Sequence, residues 1–184
     1  MYYILYNYLC RCDRGGMELC MQVAIIMGSD SDWSVMKSAV DTLRSFDIQF
    51  DVTVASAHRT PNKVREFVKT SVENGAKVFI AAAGCAAHLA GVVASYTTMP
   101  VVGVPISSEP FKGLDSLLST VQMPPGIPVV TMAANGAKNA ALFAVQILSV
   151  ADEGIQKKLI DYRAKMADEV EKKAENLKKV ISEN

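Results

Sequence analysis

The sequence has no long apolar run. No stretch of its 184 residues approaches the ~20 consecutive apolar residues that a membrane-spanning helix needs. It has no excess of either charge: 19 Lys and Arg stand against 19 Asp and Glu. That excludes the basic stripe with which proteins hold nucleic acid or an anionic membrane. An anionic ligand therefore has to be held by local geometry and not by a global field. Cysteine is sparse. Of four residues, Cys10, Cys12 and Cys20 crowd the beginning and Cys85 stands alone. That is not the disulfide framework of a small secreted domain, and reduced thiols in the cytoplasm are the expected state. Neither the GxxxxGK phosphate loop nor the GxGxxG dinucleotide fingerprint occurs. Histidine is limited to two residues and tryptophan to one.

The first 21 residues do not share the pattern of the rest. They carry a short apolar stretch, Tyr2 to Leu9, without a leading Lys or Arg or a small-residue cleavage site, so no secretory signal is read there. Cys10 and Cys12 lack a second ligand pair that would make a metal site. Residues 1–21 are expected to be an extension, disordered or translated from an upstream start, with Met17 and Met21 as alternative starts. Residues 22–184 are expected to form one domain, a size that can enclose a real core.

From residue 22 short apolar runs alternate with helical spacing. Strands are expected at Val23–Met27, Phe50–Ala55, Lys77–Ala83, Val101–Pro105 and Pro128–Met132. Helices are expected at Trp33–Phe46, Pro61–Asn74, Ala86–Tyr96, Leu114–Gln122 and Ala137–Val150. Five strand–helix units in a row predict a three-layer α/β fold with a parallel five-stranded sheet. The strands read as continuous branched runs, which suits burial on both faces. A flavodoxin-like strand order is expected. The last segment, 152–184, is charge-rich with Ile155, Leu159, Tyr162, Met166 and Val170 along one side. It predicts a long amphipathic helix whose stripe must be buried, either on its own domain or across a neighbouring subunit, the latter being favoured.

Ligands of open parallel sheets bind at the carboxyl ends of the strands, so the loops after the strands are where chemistry is expected. Both histidines fall there. In the first loop Gly28 permits close backbone approach, Ser29 and Ser31 offer hydroxyls, and the following helix start offers amides to an anion. Asp32 there is either a ligand acceptor or a helix cap. In the second, Arg59 beside Ser56 suits a phosphate, and His58 is the kind of side chain that moves protons near neutrality. The third, Gly84-Cys85-Ala86-Ala87-His88, is built of small residues that admit a ligand or a second backbone. His88 either bonds substrate, caps the helix or meets another subunit. Cys85 shows no sign of activation and is read as a buried bystander. The loop after the fourth strand holds Ser107, Ser108 and Glu109. In the last, Asn135 and Asn139 either bind ligand or cap the helix, and Lys138 is a solvated charge.

Taken together, GSDSDW (28–33), SAHRTP (56–61), AGCAAHLAG (83–91), GVP (103–105), GLDSLLSTVQMPPGIPV (113–129) and NAALFAVQIL (139–148) resemble the N5-carboxyaminoimidazole ribonucleotide mutases of purine biosynthesis. The resemblance runs from about Val23 to the carboxyl end. It implies an isomerase that turns N5-carboxyaminoimidazole ribonucleotide into 4-carboxy-5-aminoimidazole ribonucleotide without metal or organic cofactor. It implies His58 as general acid and base, Ser29, Asp32 and Arg59 as ribonucleotide ligands, Ser31 and Ser56 at the phosphate, and Gly84 and His88 lining the pocket. It also implies a homo-octamer with the last helix reaching across subunits. Two departures stand out: the third loop of the family commonly reads AGGAAHLPG, so Cys85 replaces a glycine and Ala90 a proline. The fifth loop is also shorter than the commoner form. A related branch carboxylates aminoimidazole ribonucleotide directly with carbon dioxide and tends to carry Lys after the loop histidine, where this chain has Arg59. A non-catalytic nucleotide-binding octamer is the third reading.

Overall fold

Runs of branched side chains favour extended backbone because they pack well on a pleated surface. In the computed structural model, which describes residues 21–182, five such runs become strands: β1 (Val23–Met27), β2 (Phe50–Val54), β3 (Val78–Gly84), β4 (Val101–Ile106) and β5 (Val130–Thr131). They form one sheet in the order β2-β1-β3-β4-β5, parallel at every pairing. This is the flavodoxin-like order. The chain steps one way from β1 to β2 and the other way to β3, which opens a crevice at the carboxyl ends of β1 and β3. The readings of residues 1–20, Cys10, Cys12 and Cys20 included, lie outside the described residues.

Expected burial on both faces holds for β1 and β4 and for the first five residues of β3. It does not hold for β2, where Asp51 and Val54 are exposed. An edge strand has a neighbour on one side only, and a charged edge residue discourages further pairing. β5 is shorter than expected. Pro128 cannot donate to a ladder, and regular pairing spans only Val130 and Thr131.

The helices are α1 (Trp33–Ser45), α2 (Pro61–Glu73), α3 (Leu89–Tyr96), α4 (Leu114–Val121), α5 (Ala137–Ser149) and α6 (Glu153–Ser182). α1 buries Met36, Ala39, Val40 and Leu43, the 3–4 spacing of one helical face. Pro61 opens α2 with its φ already helical, and Gly75 at φ 97° ends it. α3 begins three residues later than expected. Cys85 stands at φ 54° and His88 N–H closes a turn on Ala86 O at 2.8 Å, so the helix cannot start before His88. Ala24 and Ile26 of β1, with Phe79 and Ala81 of β3, share one core cluster with Val64 and Val68 of α2 and Leu89, Ala90 and Val93 of α3. The alternate residues Val23, Ile25, Val78, Ile80 and Ala82 are equally enclosed.

The described residues divide into two compact units, one ending at Ala144 and the other beginning at Val145. The second is dominated by α6, thirty residues long. Its start is capped by Asp152, whose Oδ1 accepts Ile155 N–H at 3.0 Å. Ile155 is buried, but Met166, Val170 and Leu177 are exposed in the single chain. Among the described residues no helix is long and apolar enough to cross a membrane.

Gly103 is tightly packed on β4. A Cβ there would collide with Thr120 Cγ2 of α4 and lie 3.1 Å from Val129 Cγ1 and 3.3 Å from Ala90 Cβ. Gly103→Ala should therefore push α4 off the sheet and cost about 1–3 kcal/mol, the usual range for overpacking. The urea unfolding midpoint checks this, and an unchanged midpoint contradicts it.

Candidate active site

The β1 loop shapes itself through its own side chains. Ser29 is extended (φ −147°, ψ 156°) and starts a single 3-10 turn, Asp30–Asp32. Its Oγ accepts Ser31 N–H at 3.3 Å, while its own N–H donates to Asp32 Oδ2 at 3.1 Å. This reciprocal arrangement is a capping box. Ser31 and Ser29 hydroxyls lie 2.9 Å apart. Asp32 thus caps the turn before α1 and makes no side-chain cap bond to α1 itself. The residue is 5% exposed. Burial, the largest effect, raises its carboxyl above the ordinary value of 3.8. The Ser29 and Gly28 amides pull it down, Asp30 pushes it up and Ser31 pulls it down.

The β2 loop is a tight turn pinned at Ser56. Ser56 N–H donates to Thr60 Oγ1 at 2.9 Å, Thr60 N–H donates to Ser56 O at 2.9 Å, and Arg59 N–H donates to Ser56 Oγ at 3.2 Å. The turn presents His58 toward the β3 loop. His58 Nε2 lies 2.8 Å from His88 Nδ1, with ring centroids 5.0 Å apart and planes at 86°. His88 occupies the N-cap position of α3 but makes no side-chain cap bond, so among its expected roles capping is excluded. A bond between two imidazole nitrogens needs one N–H and one lone pair. Two N–H groups cannot face each other at this distance, so the pair holds one proton between its rings.

These loops border a cleft of about 610 Å³, a common size for a small-molecule site. Ser29, Ser31, Asp32, Ser56, His58, Arg59, Gly84 and His88 all line it. Arg59 is the one permanent cation among the lining residues, set among six serines. Ser107 and Ser108 also line the cleft. The sequence placed them after a strand but gave them no role; the strand-end rule alone was enough to include them. Cys85 is a correction: it is exposed and lines the cleft, not buried. Its left-handed backbone turns the side chain toward the β4 loop, with Sγ 3.6 Å from Ser108 Oγ. Gly84 has a structural reason to be bare, since a Cβ would press within 3.3 Å of Ile106 O. Asn135, Lys138 and Asn139 do not line the cleft.

A family model described as AIR carboxylase matches residues 22–169. The chain belongs to the AIR carboxylase family. Within it, the chain is 55% identical over 145 residues to the N5-carboxyaminoimidazole ribonucleotide mutase of Pyrococcus abyssi, covering 79% of this chain and 83% of that one. It is 53% identical over 159 residues to the mutase of the same name from Methanocaldococcus jannaschii, covering 86% and 99%. The crystal structure of Treponema denticola PurE superposes with a TM-score of 0.76 at 29% identity, covering 82% of this chain and 94% of that one.

Two predictions follow from the loop geometry of this family member. A non-glycine residue in the left-handed region costs roughly 1–2 kcal/mol, partly offset in glycine by greater unfolded freedom. Cys85→Gly should raise stability by about 0.5–1 kcal/mol, read as a higher urea midpoint; a fall would show that the thiol contact outweighs the strain. For Asp32 the folded carboxyl holds its proton more tightly than the unfolded one. Its contribution to stability is therefore lost as pH rises from 3.8 through the folded value. Asp32→Asn should flatten that decline. Thermal unfolding of both proteins at pH 4 and pH 7 measures it, and parallel pH curves would refute it.

Proposed function

We propose that the protein is an N5-carboxyaminoimidazole ribonucleotide mutase of de novo IMP synthesis. The observation that carries the reading is the His58–His88 contact at a cleft built from strand-end loops. Chains of that name, about half identical to this one, support it.

The chemistry suits this site. In the first step the N–C bond of the carbamate breaks. Its electron pair stays on nitrogen, which takes a proton from the His58 imidazolium, and carbon dioxide is released. Carbon 4 of the freed aminoimidazole then attacks the carbon dioxide and forms the new C–C bond. Neutral His58 removes the carbon-4 proton and aromaticity returns. The proton lent at nitrogen is recovered at carbon, and carbon dioxide is regained. The atoms balance with no metal or organic cofactor. His88 receives or supplies the shared proton and holds the His58 ring in place. Confinement replaces a collision by a positioned encounter. Arg59, Ser31 and Ser56 hold the phosphate, and Ser29 and Asp32 the rest of the ribonucleotide, with Asp32 accepting from ribose hydroxyls. Gly84 leaves room beside the base.

In this reading residues 22–184 work as one mutase domain in the cytoplasm, where the exposed Cys85 stays reduced. The assembly is a homo-octamer with α6 across a neighbouring subunit. The exposed Leu114, Leu118 and Val121 of α4 and Met166 and Val170 of α6 offer the apolar surface. The description of the matching family favours a second reading, direct carboxylation of aminoimidazole ribonucleotide by carbon dioxide. Arg59 after His58 stands against it by resemblance.

Turnover of purified protein decides between them. Product from N5-carboxyaminoimidazole ribonucleotide at low bicarbonate is expected. Product only from aminoimidazole ribonucleotide with bicarbonate moves the protein to the second reading. Silence in both with nucleotide still bound leaves a binding protein. His58→Asn should lower turnover at least ~100-fold and leave nucleotide affinity within about threefold, measured by calorimetry. Light scattering should give the mass of eight chains.

A further inference from the structure

β4 delivers Ser107 and Ser108 to the cleft, but the backbone that carries them has left the sheet. β5 offers ladder support only as far as Met132, whose N–H donates to Gly103 O at 2.9 Å. Two residues further along β4, the partner is Asn135. Its N–H donates to Pro105 O at 2.8 Å, and its side-chain Oδ1 accepts Ser107 N–H at 2.9 Å. A residue of a parallel ladder bonds its neighbour strand at positions on either side of one residue. Asn135 does the same around Ile106, with its carboxamide standing in for a backbone carbonyl. Its φ of 59° lies in the left-handed region that Asn tolerates through its short polar side chain.

Asn135 lies outside the cleft lining, so its effect passes through Ser107. The adjoining segment has other supports. Buried Ser116 Oγ donates toward Ile106 O at 2.9 Å and Gly113 O at 3.1 Å, and Cys85 Sγ meets Ser108 Oγ. None of these holds the Ser107 amide. We propose that Asn135 is a positioning residue of the active site: its carboxamide extends the sheet by one artificial rung and fixes Ser107 and Ser108 on the cleft wall for the ribonucleotide. The choice of ligand rests on the mutase reading above; the tether does not.

Two substitutions separate the carboxamide from the backbone. Asn135→Gly keeps the left-handed turn and removes the acceptor. Asn135→Asp keeps both. In the full chain Asn135→Gly should raise KM for N5-carboxyaminoimidazole ribonucleotide roughly 3- to 10-fold, the equivalent of one neutral hydrogen bond, with kcat within about twofold, as expected for uniform binding. Amide exchange of a peptide covering 107–113 should quicken while the core strands stay protected. Asn135→Asp should restore both values. A KM and exchange rate equal to the parent's in Asn135→Gly overturn the proposal. So does an Asn135→Asp as impaired as Asn135→Gly. If Asn135→Gly does not fold, Asn135→Ser, whose hydroxyl is too short to reach, takes its place. A parent that turns over nothing sinks the mutase reading, and the dissociation constant for aminoimidazole ribonucleotide then replaces KM. A parent that neither reacts nor binds overturns the cleft assignment, while the exchange comparison still decides the tether.

Discussion

The rest of the structure depends on β1 pairing in parallel with β2 and β3 at once. Register carries the constraint: Met27 lies beside Val54 on one side and Ala82 on the other. Three strands therefore reach the same level together, and the loops that follow start side by side. Nothing in the loops has to search for its partners. His58 and His88, thirty positions apart in the chain, meet at hydrogen-bond distance because their strands end in step. The apolar interior of β1 and β3 is thus as much a part of the site as the imidazoles, since a slip of register would separate them.

The loops solve a problem that the sheet cannot. Backbone amides at the ends of strands lose their ladder partners, and an exposed loop is mobile unless something else satisfies them. Serine and threonine oxygens do so at Ser29 and Ser56, where each turn closes on its own side chains. The same hydroxyl-rich composition faces the cleft. Rigid shape and the polar lining of the cleft come from one set of residues, and a chain of zero net charge still places Arg59 among six serines there. Asp32 shows the cost of this arrangement. Burial disfavours its charge while two amides favour it, and the turn keeps it because its oxygen closes the box.

Most of the frame was legible in the sequence because branched runs and helical spacing are local signals. The strand–helix alternation and the start of α2 at Pro61 fell where the pattern put them, while Asp32, read as a ligand acceptor or a helix cap, closes the 3-10 turn before α1 instead. The rule that ligands gather at strand ends brought the eight singled-out residues into one cleft. What escaped depended on backbone geometry or on neighbours distant in sequence. The late start of α3 and the exposure of Cys85 both follow from one left-handed residue, and no side-chain pattern announces that at a cysteine. The edge position of β2 follows from strand order, so its exposure could not be read from its composition. Asn135 reads as a ligand group or a cap, because asparagine before a helix often is one; its partner Ser107, after β4, lies far away in sequence.

The contact between the two imidazoles ties the shape of one loop to that of the other. His58 and His88 stand on different loops and share one hydrogen bond, so the position of each loop sets how well the other's ring is held. A ligand atom that wedges the rings apart must break that hydrogen bond, and by reciprocity an intact bond must resist the wedge. Losing the bond must equally loosen the tie between the two loops. The spacing of the two loops and the integrity of the imidazole contact therefore vary together, as a single degree of freedom.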